Sequence, residues 1–229
     1  ELPTPWLTER HGYDPTFVWR WIYLNEYIVS LEREFSLVEN GFKLEEIRAL
    51  GDYKSYNNEY IKRLAVLAFK SAVYQVRMYA VFLFGYLSED DNVLAFMRDT
   101  VSNDDNWRVQ EVLAKSFDEC CKKKGYENAI PIIDEWLKSS NPNTRRAVTE
   151  GLRIWTSRPY FKENPMEAIE RLADLREDSS EYVRKSVGNA LRDISKKYSE
   201  LIKTELNNWK LESKEINQVY NLANKFVKL

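Results

Sequence analysis

Four segments of this chain open a helix in the same way, at nearly equal distances. The pairs Val76-Arg77, Val109-Gln110, Thr144-Arg145 and Val183-Arg184 lie 33, 35 and 39 residues apart. Periods of that size, with two helices to the unit, are the signature of a HEAT-type α-solenoid. Each unit there buries its apolar face only by stacking on the next. The expected fold is therefore all-α: a solenoid of HEAT-like helix pairs, wound as a right-handed superhelix with a concave polar groove.

Three blocks carry the repeat most clearly. They are Asn106 to Glu111, Asn143 to Glu150 and Glu181 to Asp193, each following a polar loop rich in Ser, Asn and Asp. Aligned on Gln110, Arg145 and Arg184, the blocks place Glu111 one residue on, Glu150 five on and Asp193 nine on. Steps of four are about one helical turn, so the acids keep to one stripe. If the helices lie side by side, three carboxylates climb diagonally across one surface. The same alignment gathers a polar face from Glu111, Lys115, Asp118, Glu119 and Lys122, then Arg146, Glu150, Arg153, Ile154 and Ser157, then Lys185, Asn189, Arg192, Asp193 and Lys196. Trp107 precedes Glu111 by one turn. Trp155 is assigned to the groove lining with Lys115 and Asn189.

Composition agrees with helices. Seven Gly and seven Pro in 229 residues are too few for a turn-rich β fold. Phe17 to Leu37 is predicted helical, with Trp21, Leu24, Ile28 and Leu31 on its apolar face. Lys43 to Leu50 forms a short helix ended by Gly51. The pair Asn57–Lys70 and Ala72–Leu87 follows. First helices of later units run over Asn92–Asp99, Asn128–Lys138 and Asn164–Arg176, with Asn164-Pro165 read as a cap followed by Pro at the first helical position. Small Ala114, Gly151, Gly188 and Ala190 let neighbouring helices approach. One or two capping helices end the chain, with Trp209 and Phe226 facing inward. The expected organisation is one continuous domain: an arm (holding Pro3, Pro5 and Gly12) and capping helices over 1–70, repeats over 71–197, a cap over 198–229.

Charge and chemistry narrow the function. Residues 1–100 hold 11 Lys+Arg against 15 Asp+Glu, whereas residues 138–203 hold 14 against 10, so the repeats allow a locally basic face. Cys120 and Cys121 are adjacent and cannot staple distant segments, so a reducing cytoplasm is expected. No apolar run is long enough to span a bilayer. His11 is the only histidine, which argues against a His-based triad or metal site, and there is no Gly-rich phosphate loop. Neither metal nor cofactor is expected. Hydrolysis by two or three carboxylates is the chemistry such a chain can host. Taken singly, each acid reads as half of a surface ion pair; the diagonal across three units is what makes the set a candidate site.

Over roughly residues 70–200 the chain resembles the HEAT-like-repeat DNA alkylation repair family, the AlkC- and AlkD-type alkylpurine DNA glycosylases. The elements Asn106-Trp107 with Glu111, Arg145-Arg146 with Glu150-Gly151, and Tyr182 to Val187 with Asn189, Leu191 and Asp193 look most like the AlkC branch. The resemblance implies that Glu111, Glu150 and Asp193 face the lesion, with Trp107 beside them, and that Arg146 and Arg192 hold the DNA backbone. The Trp107–Glu111 spacing matches a Trp and catalytic Asp of the AlkD branch, but Asn189 stands where that branch places a second Trp. Arg153, Lys185 and Lys196 would add phosphate contacts. The chemistry fits: a purine alkylated at N3 or N7 is already cationic and leaves as a neutral base. Fixed negative charge near the developing oxocarbenium-like sugar, with a positioned water, is the help required. Trp107 reads equally as an aromatic face for the cationic base or as a core residue under the repeat. The expected function is excision of cationic N3- or N7-alkylpurines from double-stranded DNA by a monomer. The alternatives are a non-catalytic scaffold that binds DNA or a protein on its concave face, and a relative that binds DNA without excising bases.

Overall fold

In a computed structural model of the protein, residues 15–227 are described, with side chains from residue 23 onward. The arm holding His11 and the side chain of Trp21 lie outside them. The described residues form helices joined by short turns. Helix α1 (Pro15–Phe35) and α2 (Lys43–Ser55) precede the pairs α3 (Asn58–Ala68) with α4 (Tyr74–Tyr86), α5 (Asp91–Asp99) with α6 (Trp107–Lys124), and α7 (Ile130–Leu137) with α8 (Pro142–Trp155). A short α9 (Pro159–Glu163) is followed by α10 (Pro165–Asp174) with α11 (Glu181–Ser195), then α12 (Ser199–Asn207) with α13 (Lys214–Ala223). Helices α2, α4, α6, α8, α11 and α13 pack each on the next and form one layer. Among the described residues no helix is long and apolar enough to cross a membrane.

Local chemistry sets the helix starts. Asn57, Asp90, Asn106 and Asn141 each accept a backbone N–H of the first turn, at 2.8 to 3.0 Å, from Tyr60, Asn92, Arg108 and Asn143. Pro142 stands at the first position of α8, where no N–H is needed. Asn164 departs from the expected cap. Its Nδ2 turns back to donate to the Tyr160 carbonyl at 3.0 Å, so it closes α9 rather than capping α10. Helix α9 falls inside the 39-residue interval, which is longer than the other two because it carries this extra turn. Helix α2 runs through Gly51 to Ser55. Tyr56 leaves it in extended backbone, because Asn57 must already cap α3.

The repeated residue that aligns the blocks is a stitch between units. Arg145 Nη1 donates to the Ser139 and Ser140 carbonyls of its own loop at 2.8 and 3.0 Å, and its Nε reaches Asp178 of the next loop at 2.6 Å. Arg77 does the same with Ser71, Ala72 and Asp104, and Arg184 with Asp178, Ser179 and Gln218. Gln110 is shorter and binds only its own loop, at Val101 and Asp104. These residues point into the loops, so the residue after each one starts the polar face.

The core lies between the layers and is strongly aromatic. Phe117 stacks on Trp136 at 4.0 Å between centroids, and Trp155 on Phe161 at 5.7 Å. Two glycines meet close neighbours across helices. A Cβ on Gly85 would come within 2.8 Å of Ser116, and one on Gly188 within 2.6 Å of the Leu222 Cβ. Gly151 differs from expectation: the atoms nearest to its missing Cβ are those of the Trp155 indole, four residues on in the same helix. Trp209 is half-buried and donates to Glu205 at 2.8 Å. Phe226 does not face inward; it is half-exposed under the Lys196 ammonium, 5.4 Å from its ring centre.

Candidate active site on the second helices

The stitch at Arg145 and Arg184 fixes how α8 and α11 are turned, and the α6–α8–α11 packing brings their polar stripes side by side. The three carboxylates form a row in which arginines alternate with acids. Arg146 Nη2 donates to Glu111 of α6 and lies 3.6 Å from Glu150 of its own helix. Arg153 reaches Glu150 Oε2 at 3.2 Å and faces Asp193 Oδ2 at 3.9 Å. Asp193 Oδ1 then accepts from Lys196 at 2.9 Å and from Arg192 at 3.3 Å. Adjacent acids thus share one guanidinium. The row is a mixed-charge surface: Glu111, Glu150 and Asp193 are balanced and slightly exceeded by Arg146, Arg153, Arg192 and Lys196.

Burial differs along the row. The Glu150 side chain is 17% exposed, Asp193 26% and Glu111 37%, while Arg146 is buried and its guanidinium covers the Tyr182 ring at 4.5 Å. Glu150 has an inner partner as well. Ser186 Oγ, from α11, donates to its Oε1 at 2.8 Å, and Thr149 Oγ1 lies 2.7 Å from that hydroxyl. Desolvation alone would raise the Asp193 pKa. The hydrogen bond from Lys196 and the charges of Arg192 and Lys196 outweigh it, so the carboxyl sits below its ordinary range and is ionised at neutral pH. Burial pushes the Tyr182 phenol up, against the pull of Arg146, so it remains a neutral donor.

The remaining candidates fall in different places. Trp107 is 58% exposed, one turn before Glu111, with the Arg108 guanidinium 4.5 Å over its ring; it is a surface aromatic and not a core residue. Asn189 is half-buried on α11. Lys185 is exposed and pairs with Glu181 at 2.8 Å, outside the row of acids and arginines. Lys115 reaches Glu46 of α2 at 3.3 Å and packs its ammonium 4.3 Å from the Phe42 ring. It borders a recess of about 130 Å³ lined also by Tyr86, Asp118 and Glu119. Trp155 does not belong to the groove. It is fully buried, and its Nε1 donates to Asp118 of α6 at 2.6 Å. It lies five residues after Glu150, about 140° round the helix, so its ring points away from Glu150 and packs in the core. Tyr182, Ser186 and Thr149 were given no role from sequence, although Tyr182 and Ser186 lie in the Tyr182 to Val187 element that carried the resemblance. What they touch on the neighbouring helix is not written in that local pattern.

The model of the family described as DNA alkylation repair enzyme matches residues 40–216. The crystal structure of AlkD2 from Streptococcus mutans is 73% identical, covers 90% of this chain and 100% of its own, and superposes with a TM-score of 0.89. The structure of smu.31 from Streptococcus mutans UA159 gives 72% identity, the same coverage and a TM-score of 0.86. The uncharacterized protein YhaZ of Bacillus subtilis (strain 168) is 37% identical over 87 residues, 36% of this chain; the chain spans 24% of that relative's length. The match at 73% identity bears the AlkD2 name, whereas the residues had suggested the AlkC branch.

Proposed function

This chain belongs to the DNA alkylation repair enzyme family, and on that premise we propose that the row on α6, α8 and α11 grips alkylated double-stranded DNA and cleaves the N-glycosidic bond of cationic N3- or N7-alkylpurines. The observation that carries the reading is the assembly of Glu111, Glu150 and Asp193, from three successive units, into one row with cations between them. Lys196 is exposed and Arg153 half-buried, more open than Arg146 or Arg192, and the Arg153–Asp193 pair is already long at 3.9 Å. A phosphate competes for both, as a multiply charged acceptor. Engaging them turns the Asp193 carboxylate toward the sugar. Its negative charge, then paired with Arg192 alone, lies where the oxocarbenium-like cation develops, in a setting drier than bulk water. Arg192 holds the neighbouring backbone, while Arg146, expected to do the same, is buried against Tyr182 and braces the acids instead; Trp107 offers its exposed face to the cationic base. No metal or cofactor enters this scheme.

A second reading has its own support. Each acid of the row already has a guanidinium partner, and burial of Trp155 removes a second aromatic from the face. Those features suit a member that binds DNA, or a protein, without excising a base. Release of 3-methyladenine and 7-methylguanine from methylated DNA separates the two. Excision predicts release by the wild-type protein and its loss in Asp193→Asn and Glu150→Gln. No release, with DNA binding that weakens linearly in log salt, selects the binding reading.

A further inference from the structure

Glu150 is held differently from the other two acids. Glu111 and Asp193 are engaged by charged groups, and DNA phosphates can compete for the exposed ones among these. Glu150 is also engaged from beneath, by Ser186 Oγ at 2.8 Å, and that serine is buried. Behind it stands Thr149, fully buried, 2.7 Å from Ser186 and 2.9 Å from the Arg146 carbonyl. Each hydroxyl has one proton. A carboxylate oxygen accepts, so the Ser186 proton goes to Glu150 Oε1. The single Thr149 proton lies between two acceptors, Ser186 Oγ and the Arg146 carbonyl, so Thr149 packs behind the serine and holds it in place.

We propose that Ser186, backed by Thr149, is a positioning residue that acts through Glu150 and keeps the row in register when DNA draws its cations away. The inference rests on the excision reading given above. Thr149 and Glu150 are on α8 and Ser186 is on α11, so the relay also ties the helix bearing Glu150 to the one bearing Asp193. A neutral buried donor is out of reach of phosphate and of salt, unlike the arginines. Glu150 therefore stays in place.

The test measures single-turnover base release from methylated DNA alongside DNA affinity for Ser186→Ala, Ser186→Thr, Glu150→Gln and the double variant Ser186→Ala/Glu150→Gln. A hydrogen bond to a charged acceptor makes the expected slowing in Ser186→Ala about tenfold or more, with affinity within about twofold. Ser186→Thr, which keeps the oxygen, recovers most of the rate. In the Glu150→Gln background the alanine costs less than about twofold, because the charge through which Ser186 acts is already gone. Wild-type rate in a folded Ser186→Ala protein, or equal losses in both backgrounds, overturns the proposal. If the wild-type protein releases no base, the excision reading fails by itself. The relay is then judged by NMR. A slowly exchanging Ser186 hydroxyl proton in the wild-type protein that is lost in Glu150→Ala supports it; a Ser186 hydroxyl proton exchanging freely with water in the wild-type protein overturns it. That measurement also stands if Ser186→Ala does not fold.

Discussion

Replacing Gly188 with alanine tests the close packing that sets α11 against the C-terminal cap. An ideal Cβ at Gly188 would lie 2.6 Å from the Leu222 Cβ, 2.9 Å from its Cδ1 and 3.2 Å from the Val219 carbonyl oxygen. The Leu222 Cβ is bonded to the α13 backbone, so no rotamer change clears it. The helices must part by about 1 Å to restore ordinary carbon contact. Because backbone has to move, the upper part of the overpacking range applies, about 2–3 kcal/mol, less about 1 kcal/mol for the better helix propensity of alanine. The net loss is about 1–2 kcal/mol, or about 3–6 °C in Tm for a chain of this length. Gly51→Ala is the control. It also sits inside a helix, but is exposed with nothing within 4 Å of the added carbon, and should stabilise by about 0.5–1 kcal/mol. Urea denaturation of both variants at an unchanged m-value reads the difference. A Gly188→Ala midpoint that matches or exceeds the wild-type value refutes the close α11–α13 approach.

Other substitutions probe other links. Arg145→Ala cuts the stitch to Asp178 and leaves that buried carboxylate without its guanidinium, so a loss of about 3 kcal/mol in urea is expected, well above any single exposed pair. The lowered Asp193 pKa sets a sign for pH. Its ion pairs contribute stability that is fully present above its ordinary value of 3.8 and is lost as pH falls through the lower folded value. The stability gap between wild type and Asp193→Asn should therefore be constant near neutrality and narrow in acid; a gap that widens on acidification contradicts the assignment. Trp155→Phe removes the 2.6 Å bond to Asp118 and leaves a small void, for a loss of about 1–3 kcal/mol in a thermal melt. Were the ring in the groove, the same change would leave stability alone and alter DNA affinity.

Much of this arrangement is a matter of local sequence. The 33- to 39-residue period and the apolar spacing are written in short windows, and they specified stacked helix pairs and the stripe that holds Glu111, Glu150 and Asp193. The limits are equally local. Reading Gly51 as a stop ignored that an exposed glycine weakens a helix without ending it. Placing Trp155 in the groove ignored its angle from Glu150. Phe226 was assigned inward from its apolar character alone, yet its ring pairs with Lys196 at the surface.

The chain alone determined which residues share one side of each helix, since 3.6 residues per turn fixes every side chain's angle about its own axis. What stands opposite, and at what distance, only the stacking of three helices decided. That Arg146 crosses to Glu111, that one guanidinium serves two acids, and that Ser186 meets Glu150 from beneath are relations between helices some 35 residues apart in sequence. No periodicity encodes them, because they depend on the rotation and spacing that core packing imposes on neighbouring helices.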